Sequence, residues 1–178
     1  MGYEYTYTQS ACYYSPGYDS IAVGSIILLT ASAPKTFIDE TSHSSVTNTC
    51  QTISGPLHIT MIYPLYQAAA DSFELTAQIG KVIKDTINFS AGSLKGFRTI
   101  EWDGTPTDSF EIKVSIKPLA KGTFILALGQ QGYRDSDCAL YKYFLNVGND
   151  QHLYYFSQFN NGYVGDYERN FGYYFKVY

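Results

Sequence analysis

Histidine is the side chain best suited to bind a metal or move a proton near neutral pH, and this chain has three, at His43, His58 and His152. His43 falls in a polar stretch, His58 in an apolar strand-like run and His152 near a turn. A zinc site needs such residues to converge with acidic partners at short, characteristic spacings, and none is present. They read as surface or hydrogen-bonded histidines. The three cysteines, Cys12, Cys50 and Cys138, show neither C-x-x-C nor zinc-finger spacing. An odd count permits one disulfide and one thiol, or three buried thiols. Cys12 and Cys50 both lie in polar, turn-like surroundings and are the candidate disulfide pair. Cys138 runs directly into an apolar strand and reads as a buried thiol.

Carboxylates cluster at Asp39-Glu40, Glu101/Asp103, Asp135/Asp137 and Asp166/Glu168. A calcium site needs several oxygens from neighbouring loops. Asp135, Asp137, Asn149 and Asp150 flank one strand pair, but the strand between them is long enough to hold them at opposite ends. A glycosidase needs two carboxylates across one cleft, and no spacing here singles out a pair. The H-E-x-x-H, G-x-S-x-G, G-x-G-x-x-G and P-loop patterns are all absent. No cysteine precedes a helix start, where a thiolate is stabilised. The sequence therefore assigns no catalytic residue, no metal ligand and no cofactor.

The side chains present in excess are aromatic: 18 Tyr, 11 Phe and 1 Trp. More than half of the Tyr lie from Tyr133 to Tyr178. In "LYYF" and "GYYF" adjacent aromatics must point to opposite faces of a strand, so one set faces the core and the other faces out or meets a partner. Aromatic platforms stack on sugars and peptides and anchor interfaces. Trp102, Tyr133, Tyr154, Tyr163 and Tyr167 are the candidate binding residues on this argument; packing within a wide aromatic core is the competing one.

The elements that would position these residues are strands. Tyr3, Tyr5 and Tyr7 alternate with Glu4, Thr6 and Thr8, a strand with one aromatic face. "SPG" from Ser15 turns the chain. "IAVGSIILLTASAP" reads as a strand buried on both faces. Residues 39–56, polar and rich in Ser and Thr, read as a long loop. "LHITMIYPLY" from Leu57 is a strand that Pro64 stops or bulges. A strand is expected at 72–79, with short ones at "INFS" and "FRTIEW". Phe110, Ile112, Val114 and Ile116 alternate with Glu111, Lys113, Ser115 and Lys117, which predicts one wet and one dry face. "TFILALG" follows, linked to it by a hairpin or a sheet crossover. "CALYKYFLNV", "HLYYFSQF" and "YYFKVY" complete the set, with one helical turn at Asp166 to Asn170. Short strands at regular spacing predict a single all-β domain over 1–178, a two-sheet antiparallel sandwich with a β-barrel as the alternative.

"SIAVGSIILLTASAP" resembles the second strand of immunoglobulin-like sandwiches and "DSFEIKVSIKPLAKGTFILALG" the consecutive strands before their last hairpin, although the Cys-Trp-Cys core of antibody domains is absent. The whole chain, above all "YKYFLNVGNDQHLYYF" and "YERNFGYYFKVY", resembles the mature part of uncharacterised envelope lipoproteins of Bacteroidota. That resemblance implies export to the periplasm or outer membrane surface and attachment through a lipid anchor that this chain does not carry.

Charge narrows the partners. With 12 Lys+Arg against 16 Asp+Glu the net charge is -4, a poor match for nucleic acid, whose binding needs clustered cations. No basic run favours a membrane surface. The apolar run Ile21 to Ala33 is too short and too interrupted to span a bilayer. The opening Met1-Gly2 before "YEYTYT" reads as a start from which a targeting segment has been removed. The expectation is a non-enzymatic envelope domain that binds a protein or glycan through exposed aromatics. The alternatives are an assembly subunit working through strand edges, and a hydrolase without a recognised motif.

Overall fold

The computed structural model describes residues 4–65, 67–83, 97–106, 108–129, 131–133, 140–147 and 172–178. Their strands in chain order are β1 (Glu4–Ser15), β2 (Ser20–Ile21), β3 (Ile27–Pro34), β4 (Thr36–Ile38), β5 (Ser45–Thr47), β6 (Thr52–Tyr63), β7 (Gln67–Ala68), β8 (Phe73–Ile79), β9 (Lys81–Ile83), β10 (Phe97–Asp103), β11 (Ser109–Pro118), β12 (Gly122–Leu128), β13 (Gln131–Tyr133), β14 (Leu140–Val147) and β15 (Gly172–Val177). A single 3₁₀ turn occupies Ala70–Ser72.

The architecture is an all-β sandwich. One layer runs β14-β1-β3-β11-β8, the other β2-β15-β12-β6-β10-β9. Two corners join them. At one, β13 continues the line of β12 and passes from β6 to β14. At the other, Asp103 of β10 pairs with Glu111 of β11. With β6 and β10 also paired, the hydrogen-bonded path closes on itself. The small β4–β5 hairpin lies apart from this path.

The inner faces follow from period-2 patterning. In β11 every even position from Phe110 to Pro118 is buried and every odd one is partly exposed. Against Phe110, Ile112, Val114 and Ile116 stand Ile53, Leu57, Ile59, Trp102 and Phe124 of the opposite layer, in one continuous core. Phe73 meets Phe124 edge-on at 4.8 Å between ring centres, the geometry that the ring quadrupoles favour.

Several expectations change on folding. The stretch from Ile21 to Pro34 is two strands rather than one: Gly24, at φ +83, turns the chain between them and donates its N–H to Pro118. β3 is not buried on both faces, because Thr30 and Ser32 point to water. The polar stretch 39–56 is only partly a loop. β5 forms a ladder with β4, supported by a 2.9 Å hydroxyl contact between Thr36 and Thr47, and β6 already begins at Thr52. Ladder bonds use backbone groups, so a Ser/Thr-rich segment can make them without an apolar pattern. β11 and β12 do not pair with one another; the chain crosses between layers, because β11 joins β3 and β8 while β12 joins β6 and β15. The sheet is also mixed rather than antiparallel throughout, since β1–β14 and β2–β15 are parallel pairs. The expected strands "INFS" and "HLYYFSQF" and the turn at Asp166 to Asn170 lie outside the described residues.

Candidate functional site

The site begins with a bulge in β1. Its parallel register with β14 runs from Glu4↔Leu140 to Ser10↔Asn146 and resumes at Cys12↔Val147, so Ala11 is an inserted residue. An inserted residue bends and twists its strand. On its other edge β1 pairs with β3 only from Cys12↔Ala31 to Ser15↔Leu28. Beyond Cys12 the two strands splay, and β3 continues through Lys35 into β4.

The gap between β1 and the β3–β4 arm is an open groove of about 790 Å³. Tyr7, Pro34 and Phe37 give it apolar surface, with the Tyr7 and Phe37 rings 5.4 Å apart. Thr8, Ser32, Thr36 and Ser109 add hydroxyls, and Glu40 and Asp108 add carboxylates exposed to water. Tyr13, 50% exposed, and Ile38, 60% exposed, complete the lining. Among the described residues the lining holds no His, Cys, Lys or Arg.

Asp39 secures the far end of the groove. Its carboxylate accepts the N–H of Thr6 at 2.8 Å and that of Ser42 at 2.6 Å, while Glu40 donates its N–H to the Thr6 carbonyl at 3.0 Å. Hydrogen bonds from the Ser42 hydroxyl and from the Thr6 and Ser42 N–H groups pull the Asp39 carboxyl down to about 2. A carboxylate saturated with N–H donors stabilises a loop and has little left to offer a cation. The second charged pair from the sequence is engaged in the same way. Glu101 meets Lys81 at 3.4 Å, and Asp103 accepts the Thr105 N–H at 2.9 Å, which lowers its pKa. Among the described residues no three His, Cys, Asp or Glu side chains gather as a metal site would require.

Trp102, expected at the surface, is placed differently. Trp102 is fully buried, and its indole N–H donates to Gln131 Oε1 at 3.0 Å. It is a core residue because an indole can be buried when its one donor is satisfied. Tyr133 enters the fold as the backbone partner of Tyr141 in the β13–β14 ladder. Tyr154, Tyr163 and Tyr167 lie outside the described residues, as do His152, Asp135, Asp137, Asn149, Asp150, Asp166, Glu168 and Cys138. Cys12 and Cys50 are separate thiols in the core and form no disulfide. Their turn-like neighbours in sequence concealed that both side chains point inward. His58 packs against Phe97 at 5.9 Å, and exposed His43 takes a positive φ of 54 in the turn that Asp39 holds.

The tyrosines that are described act as bolts within the sandwich. The Tyr141 hydroxyl donates to Thr47 at 3.2 Å, Tyr143 to Pro34 at 3.2 Å and Tyr173 to Tyr18 at 2.6 Å, each to a backbone carbonyl. Tyr143 also accepts from the buried Asn48 amide, and burial pushes its phenol pKa well up. Of the aromatics that the sequence pointed to, Trp102 thus folds inward, and Tyr13 was passed over. The signal for Tyr13 was present: it alternates with inward Cys12 and Tyr14, but only once the bulge at Ala11 has shifted the register.

No protein-family model matches the chain, and no curated protein does. A solved structure to which it is similar is the cohesin module from the family 33 glycoside hydrolase of Clostridium perfringens. The two are 12% identical with a TM-score of 0.42, over 95% of this chain and 98% of that one.

Proposed function

We propose that this domain is a non-catalytic binding module that takes a protein ligand in the groove between β1 and the β3–β4 arm. The carrying observation is the groove itself. It joins an apolar floor, a half-exposed Tyr13 and an exposed Ile38 with hydroxyls and two carboxylates. Apolar surface rimmed by a few polar groups is the usual form of a recognition site, and a Tyr offers large rigid contact area with a polar tip. Among the described residues the lining also lacks the histidines, thiols and amines that would act as bases or nucleophiles. The sequence resemblance to Bacteroidota envelope lipoproteins supports an extracytoplasmic setting.

The test pans a phage-displayed random peptide library and a glycan array on wild-type protein and on a Tyr13→Ala, Ile38→Ser double variant. Both side chains are exposed, so the variant is expected to fold with stability within about 0.5 kcal/mol of wild type. Peptides that bind wild type and lose affinity for the variant support the reading. Peptides indifferent to the variant, or a groove that selects glycans alone, would overturn it.

A further inference from the structure

Resting on that reading, we infer that the ligand binds by strand addition: an extended peptide with cationic side chains pairs with the open edge of β1 at Thr8. Thr6 sends its N–H to Asp39 and receives the N–H of Glu40 on its carbonyl, so its polar backbone groups point away from β14 and toward the β3–β4 side. Strand residues alternate in this respect. Thr8 therefore aims its N–H and C=O the same way, into the groove that it lines. On that edge β3 pairs with β1 only from Cys12 onward, and among the described residues no other strand takes its place.

Among the described residues, the segment from Thr8 to Ser10 thus forms an open edge roughly 10 Å long at about 3.3 Å per residue. It is held by β14 on its other side and framed by Asp39 at one end and the β3 ladder at the other. An unpaired edge is a template for another strand, and main-chain hydrogen bonds supply affinity in this mode while neighbouring pockets select side chains. The groove sets that selection. Pro34, Phe37 and Ile38 offer apolar contact to one face of an incoming strand, and among the described residues the only charged side chains lining it are Glu40 and Asp108. Two exposed carboxylates, with no cation beside them among the described lining residues, favour Lys or Arg on the peptide. The same two charges disfavour an acidic segment, and the open edge gives a polypeptide, which carries its own N–H and C=O groups, an advantage over a glycan.

The probes are acetyl-Lys-Val-Lys-Val-Lys-Val-amide, its Glu-Val counterpart and cellohexaose, titrated against ¹⁵N-labelled protein. The Lys-Val peptide is expected to bind, to slow hydrogen exchange of the Thr8 amide at least about tenfold, and to weaken as salt rises. Thr8→Pro removes an N–H that β14 does not use and is expected to lower affinity at least about tenfold, whereas Thr8→Val, which keeps the N–H, leaves it nearly unchanged. Glu40→Gln with Asp108→Asn lowers it about threefold to tenfold. If Thr8→Pro fails to fold, the Thr8 exchange rate in wild type decides. Binding that Tyr13→Ala weakens while the Thr8 amide stays unprotected overturns strand addition and leaves the groove reading standing. Binding of cellohexaose in place of the peptide overturns the peptide ligand, and binding of none of the probes overturns strand addition by a cationic segment, leaving the library panning to decide the groove.

Discussion

Gln131→Leu tests how the sandwich holds its corner together. Gln131 is fully buried where β13 passes between layers. Its carbonyl accepts the Trp102 indole N–H at 3.0 Å; its amide donates to the backbone carbonyls of Pro56 at 3.0 Å and Gly129 at 2.9 Å. Leucine fills a similar volume and removes all three bonds. Pro56 keeps a partner, since its carbonyl also accepts the Gly129 N–H at 2.8 Å. The Trp102 N–H and the Gly129 carbonyl lose the partner they have here. Two orphaned buried groups cost about 1–3 kcal/mol each, and the apolar burial gained by leucine returns about 1–2 kcal/mol. At the midpoints, about 4 kcal/mol lost against about 1.5 kcal/mol returned, the expected net loss is about 2.5 kcal/mol, a large share of the roughly 5–15 kcal/mol typical of a domain. Trp102 is the only tryptophan, so urea unfolding followed by its fluorescence reads the very residue affected. Gln131→Glu sharpens the test. Protonated, the introduced carboxyl can still donate to one carbonyl and accept from the indole; ionised, it is a buried charge, so its folded pKa lies above the ordinary value of about 4.3. Its stabilising form is fully present below that ordinary value and is lost as pH rises through the folded pKa. The variant should approach wild type near about pH 4 and fall away toward about pH 8. A Gln131→Leu loss below about 1 kcal/mol, or a Gln131→Glu deficit independent of pH, would refute the reasoning.

Two further outcomes follow from the same structure. The Asp39 carboxyl is held at about 2 against an ordinary 3.8, so its contribution is present above the ordinary value and disappears as pH falls toward the lower one. Asp39→Asn is expected to lose that part of the acid dependence and to speed hydrogen exchange at Thr6 and Ser42; an acid unfolding profile unchanged by the substitution would count against the assignment. Cys12, whose thiol burial pushes up to about 12, and buried Cys50 should resist iodoacetamide near about pH 8 in native protein and react in urea, read site by site by mass spectrometry. Alkylation of Cys12 without unfolding would contradict its placement.

How far the sequence carried can be seen strand by strand. The β11 alternation from Phe110 to Lys117 appears in the fold as one buried and one wetter face, because a period of 2 leaves a strand no other way to hide its apolar side. The strand expected at 72–79 is β8, Phe73–Ile79, although its helical spacing competed. The β4–β5 hairpin was missed because Thr and Ser can join a ladder without leaving an apolar pattern. The candidate site was hardly legible. Tyr13 and Ile38 are ordinary strand residues in sequence, and what sets them apart is the parting of β1 and β3.

Composition and periodicity by themselves determined the class of this protein: an all-β chain with an apolar, aromatic core. Those properties depend on each residue and its near neighbours, which is the information a sequence displays directly. Tertiary structure decided which aromatics face water, whether Cys12 and Cys50 meet, and where β1 and β3 part. Each of these depends on partners far apart in the chain. Trp102 is inside because Gln131 reaches its indole N–H, and Thr8 faces a groove because one inserted residue, Ala11, bends β1 away from β3.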